Sequence, residues 1–245
     1  MMTDEWRLTA AFDRAAPSYD AMVALSPGYH RQLRRSAEAL VSRLPKRADG
    51  TPLRVADLGC GSGASTAALL ESWRTARPRT PLVVTAVDVS AGMLAEARAK
   101  PWPEGVAFVE EDALAWLRAQ PTAGLDAVLA AYLLRNVPDR EAVVREIARV
   151  LAPGGAVAIQ DYSVAGRPLS QAAWAAVCHG LIIPLAVLKR SDVPLHRYLY
   201  RSVRDFDSVA MMRERLTRAG LGAVEHVRHP GLQGGMVHTV TAVAA

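Results

Sequence analysis

The chain has 245 residues, 51% hydrophobic and 22% charged, values of an ordinary globular protein that exclude disorder beyond the ends. Its 29 Lys plus Arg against 24 Asp plus Glu leave +5, but the arginines are scattered and interleaved with acids, which excludes dedicated nucleic-acid recognition. Cys60 and Cys178 lie too far apart to suggest a disulfide framework or a metal site, the polar start Met1-Met2-Thr3-Asp4-Glu5 is no signal peptide, and a reducing, cytoplasmic setting follows.

Residues 3 to 44 read as helices, with Leu33, Ala37, Leu40, Val41 and Leu44 as the buried stripe of the second. Leu53-Arg54-Val55-Ala56-Asp57-Leu58 suits a strand buried on both faces. Gly59, Gly61 and Gly63 follow at every second position before Ala64, Ala67, Ala68, Leu69 and Leu70 resume at helical spacing. Such a strand, tight turn and helix start present free N–H groups and a partial positive charge, and hold a small charged molecule. Gly59, Gly61 and Ala64 also fit the loose dinucleotide fingerprint, but that requires a ribose-binding acid ~20 residues later. The next strand, Pro81 to Asp88, places its closing acid further on. Ser90 then caps a helix with Met93, Leu94 and Ala97 on its packed side. Asp88 alternatively reads as an acid at that helix start, and Met93 as packing.

Val106-Ala107-Phe108-Val109 is a third strand, ending in Glu110-Glu111-Asp112-Ala113, and Leu125 to Ala131 is a fourth, running into Tyr132-Leu133-Leu134-Arg135-Asn136-Val137-Pro138-Asp139. Ligands of open parallel sheets sit beyond the strands' carboxyl ends, so this polar turn faces the chemistry. A helix from Arg140 to Leu151 precedes strand five, Ala156 to Gln160, closed by Asp161-Tyr162-Ser163. Ala172 to Leu188 carries no formal charge and nears the ~17-residue lower limit of a membrane span, but His179, Gly180 and Pro184 interrupt it, so it reads as a helical cap over an apolar substrate. His196-Arg197-Tyr198-Leu199 leads to a helix with Val209, Met212, Leu216 and Ala219 that stops at Gly220. Two strands, Ala223 to His226 and Met236 to Val243, close the chain as a hairpin.

Asp57-x-Gly59-x-Gly61-x-Gly63, an acid closing strand two, Asp112-Ala113 after strand three and Leu151-x-Pro153-Gly154-Gly155 together resemble the class I S-adenosylmethionine-dependent methyltransferases. The resemblance narrows to the ubiquinone/menaquinone biosynthesis C-methyltransferases. It rests on Phe12-Asp13 with Tyr19-Asp20, Gly28-Tyr29-His30-Arg31, Leu134-Arg135-Asn136-Val137 and Arg197-Tyr198-Leu199, with Leu133 where that family has glycine. It implies an α/β, Rossmann-like seven-stranded mixed sheet with helices on both faces, N-terminal helices and a helical substrate cap. It also implies a single domain, with N-terminal helices over 1–50, a cofactor core over 51–163, the cap over 164–204, and the last helix and hairpin over 205–245.

By resemblance the cofactor is S-adenosyl-L-methionine, leaving as S-adenosyl-L-homocysteine. Asp57, Gly59, Cys60, Gly61 and Ser62 would lie along its methionine part, with Tyr19 near the same end. Asp88, with Val89 beside it, would take the ribose hydroxyls, and Met93, Asp112 and Ala113 would surround the adenine. Tyr19 alternatively anchors its helix in the core. The reaction implied is methyl transfer to a ring carbon of a quinol or related phenol, an apolar aromatic substrate that, if prenylated, would bring the protein to a membrane surface. Arg135 would orient a water or stabilise the phenolate, and Asp161, Tyr198 and His238 are the candidates for taking the proton. His238 alternatively reads as a packed strand histidine. The alternatives are a C- or O-methyltransferase of a soluble natural product, and a cofactor-binding cyclase that transfers no methyl. Oligomeric state, a homodimer included, stays open.

Overall fold

The computed structural model describes residues 4–24, 28–45, 50–184, 193–231 and 233–245. Two helices, α1 (Asp4–Ala24) and α2 (Tyr29–Arg43), precede the alternation β1 (Leu53–Leu58), α3 (Ala64–Ala76), β2 (Leu82–Asp88), α4 (Ala91–Arg98), β3 (Val106–Glu110), α5 (Ala113–Ala119) and β4 (Leu125–Ala131). After a 3₁₀ turn at Leu134–Asn136 come α6 (Arg140–Val150) and β5 (Leu151–Tyr162). The chain then runs through α7 (Pro168–Val177), a π turn at Cys178–Ile182, α8 (Val193–Arg204), α9 (Val209–Arg218), β6 (Leu221–Arg228) and β7 (Val237–Ala244). Ser26, Pro27 and the end of the apolar run, residues 185–188, lie outside the described residues.

The seven strands form one sheet in the order β3-β2-β1-β4-β5-β7-β6, with β1 to β5 parallel and β7 antiparallel to both of its neighbours. This is the mixed α/β sheet that the sequence implied. Strand β4 is buried at all seven positions, which follows from helices on both faces of a parallel sheet. Leu33, Leu40, Leu69 and Trp73 of α2 and α3 pack on one face; Leu117, Ile147 and Leu216 of α5, α6 and α9 pack on the other. Each such fully buried Leu or Ile contributes about 1.5–3 kcal/mol relative to exposure.

The helix starts are chemically specified. Ser90 Oγ accepts from Met93 N, Asp112 Oδ1 from Ala115 N and Asp139 Oδ1 from Ala142 N, each cap contributing about 1 kcal/mol. Two strands are longer than their periodicity implies. β5 begins at Leu151, opposite Leu125, and then makes an excursion through Pro153, Gly154 (φ +75) and Gly155 before pairing resumes at Ala156. β6 spans Leu221–Arg228 because a bulge between Gly222 and Glu225, with Ala223 at φ +46, breaks the alternation that marks a strand.

Candidate active site

The strand order reverses between β1 and β4, and beyond the carboxyl ends of these strands lies a cavity of about 600 Å³. The glycine turn forms one wall. Gly59 and Gly61 take φ of +69 and +54, the left-handed conformations that glycine adopts without a Cβ penalty. Gly59 N and Cys60 N both donate to Val87 O, at 2.8 and 3.1 Å, which ties the turn to the end of β2. A Cβ on Gly63 would stand 2.7 Å from the Trp102 ring, so close packing also requires glycine there.

Asp88 ends β2 at the cavity. Its Oδ2 accepts from Gly61 N at 2.8 Å and its Oδ1 from Ser90 N at 2.9 Å. Each carboxylate oxygen keeps a second lone pair, so Asp88 both shapes the turn and remains able to accept from a bound diol. Burial pushes its carboxyl above the usual range, against the backbone N–H groups that favour the ion. Gly59, Cys60, Gly61, Ser62, Val89, Met93, Asp112, Ala113 and Tyr19 all line the same cavity. Asp57 does not. It is fully buried beneath the turn, where its Oδ2 accepts from Ser65 Oγ and Thr66 Oγ1 at 2.7 and 2.6 Å. Burial raises it to about 6. Its place is holding β1 to the start of α3.

The opposite wall follows β4. Tyr132, at φ +60, stacks on Tyr29 with ring centroids 5.6 Å apart and packs 5.3 Å from Tyr162. The Arg135 guanidinium carbon lies 5.8 and 5.7 Å from the Tyr132 and Tyr162 rings, within cation–π range. Its Nε is 3.4 Å from Asp161 Oδ1, both side chains are buried, and Nε and Nη1 have no hydrogen-bond partner. Asn136 carries the wall outward and accepts from Tyr198 OH at 3.1 Å.

Of the three proton-acceptor candidates, none lines the cavity. Asp161 sits behind Arg135, accepting from Arg135 N and Tyr162 N at 3.1 and 2.9 Å, with its carboxyl raised by burial. Tyr198 donates to Asn136 from outside the cavity, and burial raises its phenol. His238 pairs with Asp161 across β5 and β7, so both point to one face of the sheet and meet α9 in a separate small pocket with Asp207 and Met212. There His238 Nδ1 lies 3.0 Å from His226 Nε2 and its Nε2 lies 3.2 Å from Arg167 Nη1. His229 Nε2 lies 2.8 Å from Thr239 Oγ1.

Burial lowers both His229 and His238 to about 4. Unfolded imidazoles, near pKa 6.5, then bind more protons than folded ones, so stability is full above that value and falls as pH drops from 6.5 toward 4. The carboxyl of Asp57, raised to about 6, acts in the opposite sense over the same window, so the readout is the difference between two chains: the urea midpoint of His229→Gln should fall less, or rise more, on acidification from 6.5 toward 4 than that of the wild type. Parallel midpoint profiles from pH 7 to 4.5 would contradict neutral burial of His229.

The sequence reading brought Tyr19 to the cofactor's methionine end but did not bring Phe12, the other ring of the roof, to the cavity. Phe12 and Tyr19, seven residues apart on one side of α1, line the cavity with rings 6.5 Å apart, edge to face. Two acids flanking them fix the helix: Asp13 Oδ1 accepts from Ser90 Oγ and Gly92 N at 2.6 and 3.0 Å. Asp20 accepts from Ser62 Oγ and Lys100 Nζ, both at 2.5 Å. The i, i+7 spacing of the aromatics was the available signal; the partners of the acids had none.

The cavity therefore combines a backbone-lined turn, three acids at one end (Asp88, Glu111 and Asp112) and an aromatic wall with a buried cation at the other. These features fit a cationic nucleoside bearing a ribose diol. A family model described as the ubiE/COQ5 methyltransferase family matches residues 1–243. The demethylmenaquinone methyltransferase of Lactococcus lactis subsp. lactis is 29% identical over 231 residues, 93% of this chain and 87% of that protein. The trans-aconitate 2-methyltransferase of Azoarcus sp. is 40% identical over 126 residues, 51% of this chain and 44% of that one. Among solved structures, the fold is similar to that in a DhpI–SAM–HEP complex, with a TM-score of 0.60, 23% identity and 99% of each chain covered.

Proposed function

The chain belongs to the ubiE/COQ5 methyltransferase family and is an S-adenosylmethionine-dependent methyltransferase, and we propose that it methylates a ring carbon of a quinol or related phenol. The observation that carries the acceptor class is Arg135, a buried guanidinium at the cavity wall whose Nε faces Asp161, whose Nη1 has no hydrogen-bond partner among the described residues, and which has tyrosine rings beside it. A planar ring bearing an oxyanion satisfies both features.

When bound, S-adenosylmethionine supplies an electrophilic methyl group. Asp88 would accept from its ribose, the turn from Gly59 to Ser62 would hold its methionine part, and Met93, Asp112 and Ala113 would flank the adenine. Phe12 and Tyr19 offer π-faces to positive charge at the roof. Arg135 has the decisive task. A phenol with pKa ~10 is mostly neutral at pH 7, and its ring carbon becomes nucleophilic as the proton leaves; a preorganised guanidinium stabilises the phenolate so formed. Asp161 fixes that guanidinium from behind, in a buried pair that costs no reorganisation during reaction. Since Asp161, Tyr198 and His238 stand off the wall, water at Arg135 is the proton acceptor in this reading. Of the expected cap, Tyr198 meets the wall through Asn136, and no described residue of 164–204 lines the cavity.

Leu133 favours a second reading of the acceptor's size. It replaces the glycine of the resembling family, and its Cβ and Cδ1 stand 3.2 and 3.0 Å from where a Cβ on Gly59 would be. The space beside the turn is thus filled, which suits a smaller, unprenylated ring such as a natural-product phenol. Methyl-labelled S-adenosylmethionine with demethylmenaquinol, and separately with an unprenylated naphthoquinol, tests both readings. Label on a ring carbon is expected, and preference between the acceptors reads the role of Leu133. Label solely on oxygen, or none with any phenol, overturns the carbon assignment.

A further inference from the structure

The peptide group between Leu134 and Arg135 is held at both ends by charged side chains. Its N–H, on Arg135, donates to Asp161 Oδ2 at 3.1 Å, and its carbonyl, Leu134 O, accepts from Arg140 Nε at 3.2 Å. The two bonds leave one planar unit in opposite directions, and each involves an ion, the stronger class of hydrogen bond. Arg135 therefore springs from a backbone that an acid grips on one side and a cation on the other. Leu134 is fully buried, and Arg140 does not line the cavity.

Arg140 stands where a cation is disfavoured. It is the first residue of α6, and a helix dipole favours acids at that end and opposes bases. Asp207, in the link between α8 and α9, holds it there. Arg140 Nη1 lies 3.3 Å from Asp207 Oδ1, and its guanidinium carbon lies 4.7 Å from the centre of the Phe206 ring. Asp207 is 5% exposed and is fixed in turn: its Oδ2 accepts from Arg215 Nε and Nη2 at 3.1 and 2.6 Å, and its backbone carbonyl accepts from Ser163 Oγ at 2.7 Å, just beyond the end of β5. Arg215 alone would pair this buried carboxylate. Arg140 adds a second cation, and it is the one that reaches on to the backbone beside Arg135.

We propose that Arg140, anchored by Asp207, is a positioning residue for methyl transfer, clamping the Leu134–Arg135 peptide so that the Arg135 guanidinium meets the acceptor's oxygen in a fixed orientation. The proposal rests on the reading of Arg135 as the group that stabilises the phenolate. Misplacing a group at the reacting centre by about 1 Å can cost about 100-fold in rate, and the long arginine stem magnifies any rotation of its backbone. Because Arg215 stays with Asp207 when Arg140 is replaced, Asp207 is not left uncompensated and the fold survives.

Two readouts test it, one of them independent of any acceptor. In ¹⁵N NMR spectra of the full chain, the Nε–H signal of Arg135, identified by its absence from Arg135→Ala, should exchange with solvent about tenfold faster or more in Arg140→Met. Arg140→Lys keeps the charge beside Asp207, but a single ammonium lacks the fork that bonds Asp207 and Leu134 O together, so Arg135 should loosen there as well, at a wild-type urea midpoint. In turnover with the unprenylated naphthoquinol, Arg140→Met should lower kcat about tenfold to 100-fold at unchanged calorimetric affinity for S-adenosylmethionine, and should lower it no further in a chain already carrying Arg135→Ala. An Arg135 signal that exchanges in both variants as it does in the wild type overturns the proposal, as does a kcat loss that adds in full to that of Arg135→Ala. If Arg135→Ala leaves kcat unchanged, or no phenol is turned over, it is the acceptor reading that fails, and the exchange of the Arg135 signal still decides whether Arg140 holds it.

Discussion

Asp88→Ala should weaken S-adenosylmethionine binding by about 100-fold or more, the largest loss expected of any single cavity substitution. A hydrogen bond to a charged group contributes about 1.5–3 kcal/mol, and two ribose hydroxyls donating to one carboxylate lose both. The same change removes the acceptor for Gly61 N and Ser90 N, so the glycine turn loosens at the same time. Asp88→Asn separates the two contributions. Its carbonyl oxygen can still accept from one of those backbone donors, so it should lose less than alanine and more than wild type. Burial raises the Asp88 carboxyl, so wild-type affinity should fall on acidification earlier than an ordinary carboxylate would dictate. Calorimetry across pH with both variants decides it; an alanine variant that binds as tightly as the wild type would place the ribose elsewhere.

The cofactor half of the cavity was legible because each part depends on neighbours in sequence. A buried strand, three alternating glycines and a resumed helical period set the turn from Asp57 to Ala64, and Ser90 announces its helix by its side chain alone. The acceptor half was less legible because it depends on register. Whether Asp161 faces the cavity or the helix layer is decided by the pairing of β5 with β7, which puts it on the same face as His238 and behind Arg135. No local pattern contains that choice. Asp57 shows a related limit: the glycine motif includes it, but the hydroxyls of Ser65 and Thr66 that claim its carboxylate come from the next helix turn. The bulge at Ala223 and the excursion at Pro153 erased the period-two signal where β6 and β5 begin.

Arg135 is where the chemistry of the acceptor can be separated from stability and from cofactor binding. Removing one preorganised donor from a developing oxyanion costs about 10²–10³ in turnover, so Arg135→Ala should lower kcat by about that factor and leave S-adenosylmethionine affinity within about twofold. The variant also strips Asp161 of its buried partner, a change that costs about 3–5 kcal/mol of stability when a buried carboxylate is left uncompensated. Combining Arg135→Ala with Asp161→Asn neutralises that carboxylate and should restore the urea midpoint without restoring kcat. The pH profile carries the mechanistic content. With Arg135 present, the phenolate is stabilised and the rate levels off below the phenol's ordinary pKa of ~10; in the double variant, the rate should keep climbing with pH until the acceptor ionises unaided. A profile parallel to wild type at every pH, or a loss of cofactor affinity equal to that of Asp88→Ala, would remove Arg135 from the acceptor side of the site.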